Sequence, residues 1–326
     1  MLEKLNILYT CDNAYIPLTA ISVASVVDNN KDSEICFYVA TESKDSEEYR
    51  RLVDFYEENK KVSFKYLDCK KYDHLLEAKG YDRWGSNSYY VYWKLFAYDD
   101  INADRIWYQD SDVICMNEID YPDIAKPVGA VLDSAHADFN MRAGINEDYY
   151  FFNTGSLFID IKKWKEHHCT DKVISYIENI ERMPLMCDQD ILASALQDEI
   201  EVLDPKYNYL TGYDYYGVHN SYEMYSLDKK PFYKEKQIEN AKDGVVFYHC
   251  LGGVFGRPWE EGNESPIKNQ FDFYRKLSAW PDYKKERKIS MLFKIEKTLE
   301  FLPKRVYNRV HNLAQRLYLK KISNRK

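Results

Sequence analysis

Two carboxylates flank a serine at Asp110-Ser111-Asp112, directly after the apolar run Arg105-Ile106-Trp107-Tyr108-Gln109. An Asp-x-Asp at a strand end brings both carboxylates within reach of one hard cation, which prefers oxygen ligands. Alone, that spacing is equally met by a solvated loop. A second segment narrows the reading: Val245-Val246-Phe247-Tyr248 ends at His249, and Cys250-Leu251-Gly252-Gly253-Val254-Phe255-Gly256-Arg257-Pro258-Trp259 follows. An imidazole can complete a Mn²⁺-type site built from two carboxylates, Mg²⁺ being the other suitable ion. Gly252 and Gly253 let backbone N–H groups approach a phosphate, and Arg257 can pair with it. The combination points to metal-assisted chemistry on a phosphate-bearing substrate.

The elements that must position these groups alternate along the chain. Asn6-Ile7-Leu8-Tyr9-Thr10 reads as a strand, Cys11-Asp12-Asn13-Ala14 as a turn, and Pro17 opens a helix with Ile21, Ala24 and Val27 on one side. Strands are expected at Glu34–Ala40, Val62–Leu67, Arg105–Gln109, Gly129–Leu132, Leu157–Ile159 and Val245–Tyr248. Helices are expected from Ser43 to about Glu58 and from Tyr89 to Tyr98. Such alternation predicts an α/β fold with a mostly parallel central sheet. Ligands of open α/β sheets gather at the carboxyl ends of strands, where Thr10-Cys11-Asp12, Asp110-Ser111-Asp112 and His249 all fall.

Composition excludes several classes. With 45% hydrophobic and 30% charged residues the chain reads as folded rather than disordered. The seven cysteines are scattered, without C-x-x-C spacing, which argues against a disulfide framework or a zinc site of the usual pattern. Met1-Leu2-Glu3-Lys4-Leu5 leads straight into a strand with no signal-like apolar core, and no apolar run reaches 18 residues, so a cytoplasmic location is expected. Tyrosine is abundant, with 30 residues, and suits sheet edges as well as surfaces that stack on sugars. The net charge of −8 is uneven: residues 284–326 hold 14 Lys and Arg against three Asp and Glu, leaving −19 for residues 1–283. An acidic body with a basic tail is not the pattern of a nucleic-acid-binding domain.

Several separated segments resemble, in shared order, the retaining sugar-nucleotide transferases of glycosyltransferase family 8. Asp12-Asn13-Ala14-Tyr15 is similar to the family's D-x-N-Y turn, and Ser88-Tyr89-Tyr90-Val91-Tyr92-Trp93-Lys94-Leu95 to its Y-x-R-L helix. Trp107-Tyr108-Gln109-Asp110-Ser111-Asp112-Val113 resembles its Y-L-D-x-D-V strand, and Phe152-Asn153-Thr154-Gly155-Ser156-Leu157 its F-N-x-G-V-L. Asp188-Gln189-Asp190-Ile191-Leu192 resembles D-Q-D-x-L-N, Lys206-Tyr207-Asn208 resembles K-Y-N, and the His249 segment resembles H-x-x-G-x-x-K-P-W. The resemblance implies a GT-A, Rossmann-like fold and transfer of an α-hexose, galactose or glucose, from a UDP-sugar donor to a carbohydrate acceptor such as a bacterial surface glycan. It implies that Asp110, Asp112 and His249 bind Mn²⁺, with Ser111 between the carboxylates. Gly252, Gly253 and Arg257 would hold the diphosphate. Thr10, Asp12, Tyr15 and Lys94 would serve the nucleotide side. Asn153, Asp188 and Gln189 would surround the donor sugar as the catalytic group, with Asp133 beside them. Departures are Ala14 for Asn, Lys94 for Arg, and two extra residues between Gly252 and Arg257, which itself replaces Lys.

Alternatives are a self-glucosylating enzyme of the glycogenin kind, an inactive sugar-nucleotide-binding subunit, and a nucleotidyltransferase. The last is expected to carry a glycine loop near the N-terminus, and Leu8 to Tyr15 contains no Gly. Residues 1–280 are expected to form the catalytic domain and residues 281–326 a basic helical tail. In the tail, Ile289, Leu292, Leu299 and Leu302, then Val306, Val310, Leu313 and Leu317 after Pro303, are spaced for one helix face. That face suits an anionic membrane surface or docking on the body. The Tyr-rich stretch 211–235 is expected to face the acceptor.

Overall fold

In the computed structural model, residues 4–81, 89–287, 289 and 291–324 are described. Met1–Glu3, Ser88 and the side chain of Leu292, named above, lie outside them. Seven strands form the central sheet in the order β3-β2-β1-β4-β7-β6-β8: β1 Lys4–Thr10, β2 Glu34–Ala40, β3 Val62–Leu67, β4 Arg105–Gln109, β6 Val128–Leu132, β7 Phe152–Asp160 and β8 Ile200–Val202. The pairs β3–β2, β2–β1, β1–β4 and β6–β8 are parallel, whereas β7 runs antiparallel to both β4 and β6. β1 and β2 are buried on both faces apart from their first residues, which explains their unbroken apolar runs.

Helix α1, Ile16–Asn29, begins with Pro17 in its first turn, where a missing N–H costs nothing. It packs on β5, Val113–Cys115, and on the helix Lys268–Leu277, so it is buried nearly all round rather than amphipathic. Helix α2, Glu47–Phe55, starts later than Ser43 because Ser46 is its cap, its hydroxyl accepting from the Tyr49 N–H. The helix expected from Tyr89 to Tyr98 is a single turn, Tyr90–Trp93, followed by a 3₁₀ turn at Ala97–Asp100. Tyr92, Trp93, Phe96 and Tyr98 are all buried, and packing around these rings overrides the helical pattern.

A second, small sheet has the order β5-β10-β9, with β9 Tyr209–Leu210 and β10 Phe247–His249. β10 lies antiparallel to β5 with His249 opposite Val113, and parallel to β9 with His249 beside Leu210. This register sets His249 next to Asp112 on one side and Asn208 on the other.

The terminal helix, Lys304–Ser323, lies along the helix Val218–Tyr225. Asn308 donates to Asn220 and Glu223 at 2.9 and 2.6 Å, and Asn312 donates to the carbonyls of Glu223 and Met224. Its buried residues are Tyr307, Asn308, His311 and Leu319, whereas the stripe Val306, Val310, Leu313 and Leu317 faces solvent. Thus the face used for docking is not the apolar one legible in the sequence. No helix among the described residues is long and apolar enough to cross a membrane.

Candidate active site

β1 pairs with β2 on one side and β4 on the other, so the crevice at its carboxyl end is the switch point of the sheet. Asp12 leaves β1 there and Asp110 leaves β4. Asp12 Oδ1 accepts from the Tyr15 N–H at 2.7 Å, capping the turn Asn13–Tyr15, and burial pushes its carboxyl up. Thr10 and Tyr108 share a hydroxyl hydrogen bond at 3.2 Å on the crevice floor. Lys285 Nζ sits over the Tyr15 ring, 4.5 Å from its centre. A cavity of ≈ 380 Å³ runs from Asp12 and Tyr15 past Val91 to Asp110, Asp112 and Arg257.

The ligating atoms of Asp110, Asp112 and His249 lie within 4.8 Å of one another. Asp112 Oδ1 is 3.3 Å from His249 Nε2, and its Oδ2 accepts from Arg257 Nη1 at 2.9 Å. Burial opposes ionisation of Asp112, yet these two neighbours hold its carboxyl down at about 2. His249 Nδ1 faces the amide oxygens of Asn153 and Asn208 at 3.1 and 3.2 Å. A nitrogen facing two acceptors carries a proton, so Nε2 is the atom left to the carboxylates: with no cation it donates to Asp112, and with one its lone pair can ligate. Two carboxylates, an imidazole in the ligating tautomer and amides orienting it from behind together fit a divalent cation. Ser111, in contrast, turns inward to a hydroxyl hydrogen bond with Thr19 at 2.8 Å.

Two glycines make these approaches possible. A Cβ on Gly155 would stand 2.1 Å from His249 Cε1, and one on Gly252 would stand 2.9 Å from Arg257 Nε. Gly155 is therefore where β7 gives the imidazole room, and its carbonyl accepts from the Asp110 N–H at 2.7 Å.

Beyond the carboxylates the crevice changes character. Lys94, 2% exposed, bridges Asp110 at 2.8 Å and Asp188 at 3.1 Å. Burial works against its charge, but the flanking carboxylates raise its affinity for the proton above that of a free lysine. Asp188 also accepts from the Thr154 hydroxyl at 2.5 Å, and burial pushes its own carboxyl up. Asp133 Oδ2 accepts from Asn153 Nδ2 at 2.6 Å and Gln189 Nε2 at 3.3 Å, while its Oδ1 accepts from the Ala135 N–H. The residues expected around a sugar thus converge on Asp133, so its place is central. Asp190, the second acid of the D-Q-D run, instead caps the preceding turn through the N–H groups of Leu185 and Met186.

Sequence reasoning missed Lys230. Its Nζ donates to the carbonyls of Asp133 and Ala135 at 2.8 and 2.7 Å, and burial pulls its ammonium down to about 8. No local spacing signals a lysine that reaches across 97 residues of sequence to backbone oxygens. Cys187, with φ 53° and ψ −117°, was equally illegible; it is a strained residue directly before Asp188.

An Asp-Asp-His cluster at the switch point of an α/β sheet, beside a buried polar pocket, has the donor set of an enzyme that uses a divalent cation. The glycosyl transferase family 8 model matches residues 6–261, and the chain belongs to that family. It is 26% identical over 297 residues to the lipopolysaccharide 1,2-glucosyltransferase of Escherichia coli, covering 87% of this chain and 82% of that one. Among solved structures, the galactosyltransferase LgtC, determined with donor and acceptor sugar analogues, aligns with a TM-score of 0.61 at 17% identity, covering 89% of this chain and 99% of that one. The bifunctional glycosyltransferase WbbM aligns with a TM-score of 0.67 at 16% identity over 86% of this chain, which spans 50% of it. The expected family and the GT-A fold are both borne out.

Proposed function

We propose that the chain is a retaining hexosyltransferase that moves an α-glucose or α-galactose from a UDP-sugar to a carbohydrate acceptor, with Mn²⁺ or Mg²⁺ assisting. The observation that carries this reading is the convergence of Asp110, Asp112 and His249 at the mouth of the cavity whose other end holds Asp12 and Tyr15. The glucosyltransferase and galactosyltransferase relatives support the donor class, and the lipopolysaccharide enzyme supports a bacterial surface glycan as acceptor.

In this reading Asp12, Tyr15 and Thr10 hold the nucleoside side, with Val91 and Ser111 lining the cavity between them and the carboxylates. When bound, the cation supplies a Lewis acid that neutralises charge on the departing diphosphate. Arg257, with Gly252 giving it room, adds a positive charge at the same spot, while Gly253 gives room to the ring of Phe255. Asn153, Gln189 and Asp188 orient the donor sugar, and Asp133 orients the first two. Because Lys94 and Thr154 both engage Asp188 Oδ2, and Gln189 is a weak nucleophile, we favour same-face attack over a covalent intermediate on the enzyme.

Residues 1–280 are taken as the catalytic unit and residues 281–326 as an appended helical element. The exposed stripe of the terminal helix, Leu313 and Leu317 being 57% and 59% exposed, is flanked by Arg309, Lys320 and Lys321. That arrangement suits an enzyme lying peripherally on an anionic membrane at its cytoplasmic face. Leu313→Glu with Leu317→Glu should abolish cosedimentation with phosphatidylglycerol vesicles; equal sedimentation of the variant would refute the anchor.

The test of the main reading is UDP release from UDP-glucose and UDP-galactose, with Mn²⁺ or EDTA, for the wild type and Asp112→Ala. Turnover should require the cation and fall about 100-fold or more in the variant. Binding of UDP indifferent to EDTA, with neither sugar consumed, would instead make the chain an inactive subunit.

A further inference from the structure

A second cavity, of ≈ 510 Å³, begins where the first ends. Val91 lines both, and Asp188 and Asp133 of the sugar end form its inner wall. One outer wall is the turn from Ser134 to Phe139 with Leu185–Cys187 facing it. The remaining wall is the terminal helix, through Gln315, Tyr318, Leu319 and Ile322. Those four positions follow i, i+3, i+4, i+7 spacing, so a single helix face lines the cavity, opposite the exposed stripe of Val306, Val310, Leu313 and Leu317. The segment 211–235, which the sequence pointed to as the acceptor side, contributes Tyr225.

We propose that this cavity is the acceptor subsite and that the terminal helix closes it, with Tyr318 and Gln315 selecting the acceptor. The proposal rests on the glycosyltransferase reading and adds to it where the acceptor lies and what reads it. Its occupant is a pyranose glycan. The cavity is continuous with the donor-sugar residues through Asp188 and Asp133, so a molecule within it meets the donor sugar at the end remote from Asp12. Its lining is mainly apolar and aromatic, from Phe139, Met186, Tyr225 and Tyr318. Pyranose rings present apolar C–H faces that stack on tyrosine, while their hydroxyls need a few fixed polar groups. Gln315 supplies one such group; its Nε2 lies 3.2 Å from His311 Nε2, which fixes its amide.

The helix is anchored independently of these side chains. Asn308, Asn312 and the Arg316–Asp138 ion pair at 3.0 Å hold it to the body. Tyr318 is 55% exposed, so trimming it removes a cavity wall without opening the core. This makes Tyr318→Ala a clean probe, with Gln315→Leu as the second variant.

The experiment is equilibrium binding of p-nitrophenyl β-galactoside and p-nitrophenyl β-glucoside to the full chain by calorimetry, with UDP and Mn²⁺ present. Wild type should bind at least one glycoside, and each variant should weaken that Kd about tenfold with an unchanged thermal melt. Failure of the wild type to bind either, or Kd values in both variants equal to that of the wild type, overturns the proposal. A parallel measurement of UDP release from the donor separates the two ideas. Glycoside binding that depends on Tyr318 without donor turnover would leave the subsite standing and defeat the transferase reading. Donor turnover with glycoside binding indifferent to both variants would do the reverse.

Discussion

The two ends of the crevice hold similar carboxylates in opposite ways. At the end proposed for the metal, the Asp110 side chain is 31% exposed, and Asp112 pairs with Arg257, itself 36% exposed along its side chain. At the end proposed for the sugar, Asp133 and Asp188 are 6% and 4% exposed; both Asp133 oxygens accept from N–H groups, and Asp188 Oδ2 accepts from a hydroxyl and a buried ammonium. The first arrangement leaves charge that an incoming ion can exchange into; the second is fixed before a ligand arrives. A transferase needs both, because a departing diphosphate develops charge while a sugar must be held in one pose.

Lys94 joins the ends, and removing it gives the largest expected effect. Lys94→Met leaves Asp188 and Asp110 without their shared counter-charge, and the Asp188 side chain, 6% exposed, has little access to water in its place. Breaking a buried ion pair by deleting one partner costs on the order of 3–5 kcal/mol. Urea denaturation should register a loss of that size. A loss under about 1 kcal/mol would mean that the two ends are held separately and differ only in exposure.

Next in size is the glycine behind the imidazole. Gly155→Ala puts a methyl where His249 Cε1 stands, so the ring must turn from Asn153, Asn208 and Asp112. Loss of such orienting contacts lowers metal affinity by about 10–100-fold. Mn²⁺ titration followed by its paramagnetic relaxation effect reads this without any turnover. Unchanged affinity would show that the metal end tolerates looseness even in its histidine, and would sharpen the contrast further.

The parts of this crevice that the sequence discloses are those carried by short motifs at strand ends. Asp110 and Asp112 were legible because they follow an apolar strand whose carboxyl end lies beside that of its parallel neighbour β1; His249 was legible as the end of an apolar run, although β10 lies in the small sheet. β2, β3 and β4 were legible to the residue because their runs are bounded by turn formers. The aromatic segment around Lys94 was not, since its rings pack in three dimensions that helical periodicity does not record. Nor was the antiparallel course of β7, because a strand's direction leaves no trace in its own hydrophobicity. The terminal helix misled for a related reason: its docked face is made of Asn308, Asn312 and His311, polar residues that bury through hydrogen bonds rather than through apolar pattern.

The sugar end also has a pH signature of its own. Lys230 is pulled down to about 8 by burial, so the folded protein holds that proton less tightly than the unfolded chain, whose lysine titrates near 10.4. Between about pH 8 and 10 the unfolded state therefore binds more protons, and this group makes stability rise with pH. Below pH 8 both states hold the proton and its contribution is flat. Denaturation at pH 7.5 and 9.5 should show a gain in wild type that is missing from Lys230→Met. Asp112 acts with the same sign in a different window: its depressed value contributes stability above the ordinary carboxylate range, lost as pH falls toward 2. A wild type with no alkaline gain would mean that the Asp133 loop is not clamped by a desolvated ammonium.

The smallest effect concerns the strain that delivers Asp188. Cys187 holds φ 53° and ψ −117°, a conformation that a Cβ disfavours and glycine adopts without difficulty. Non-glycine residues in such regions cost on the order of 1–3 kcal/mol and persist when their surroundings overdetermine them. Here the surroundings are the first turn of the helix Asp188–Ala195, pinned by Asp190 to Leu185 and Met186 and by Asp188 to Lys94. Comparing Cys187→Gly with Cys187→Ala cancels most of the lost thiol packing and isolates the backbone. The glycine variant should be the more stable by about 1 kcal/mol, against the usual penalty for a flexible residue. If alanine is instead the more stable, the turn carries no strain. The fixed end of the crevice then owes its pose to the hydrogen bonds alone.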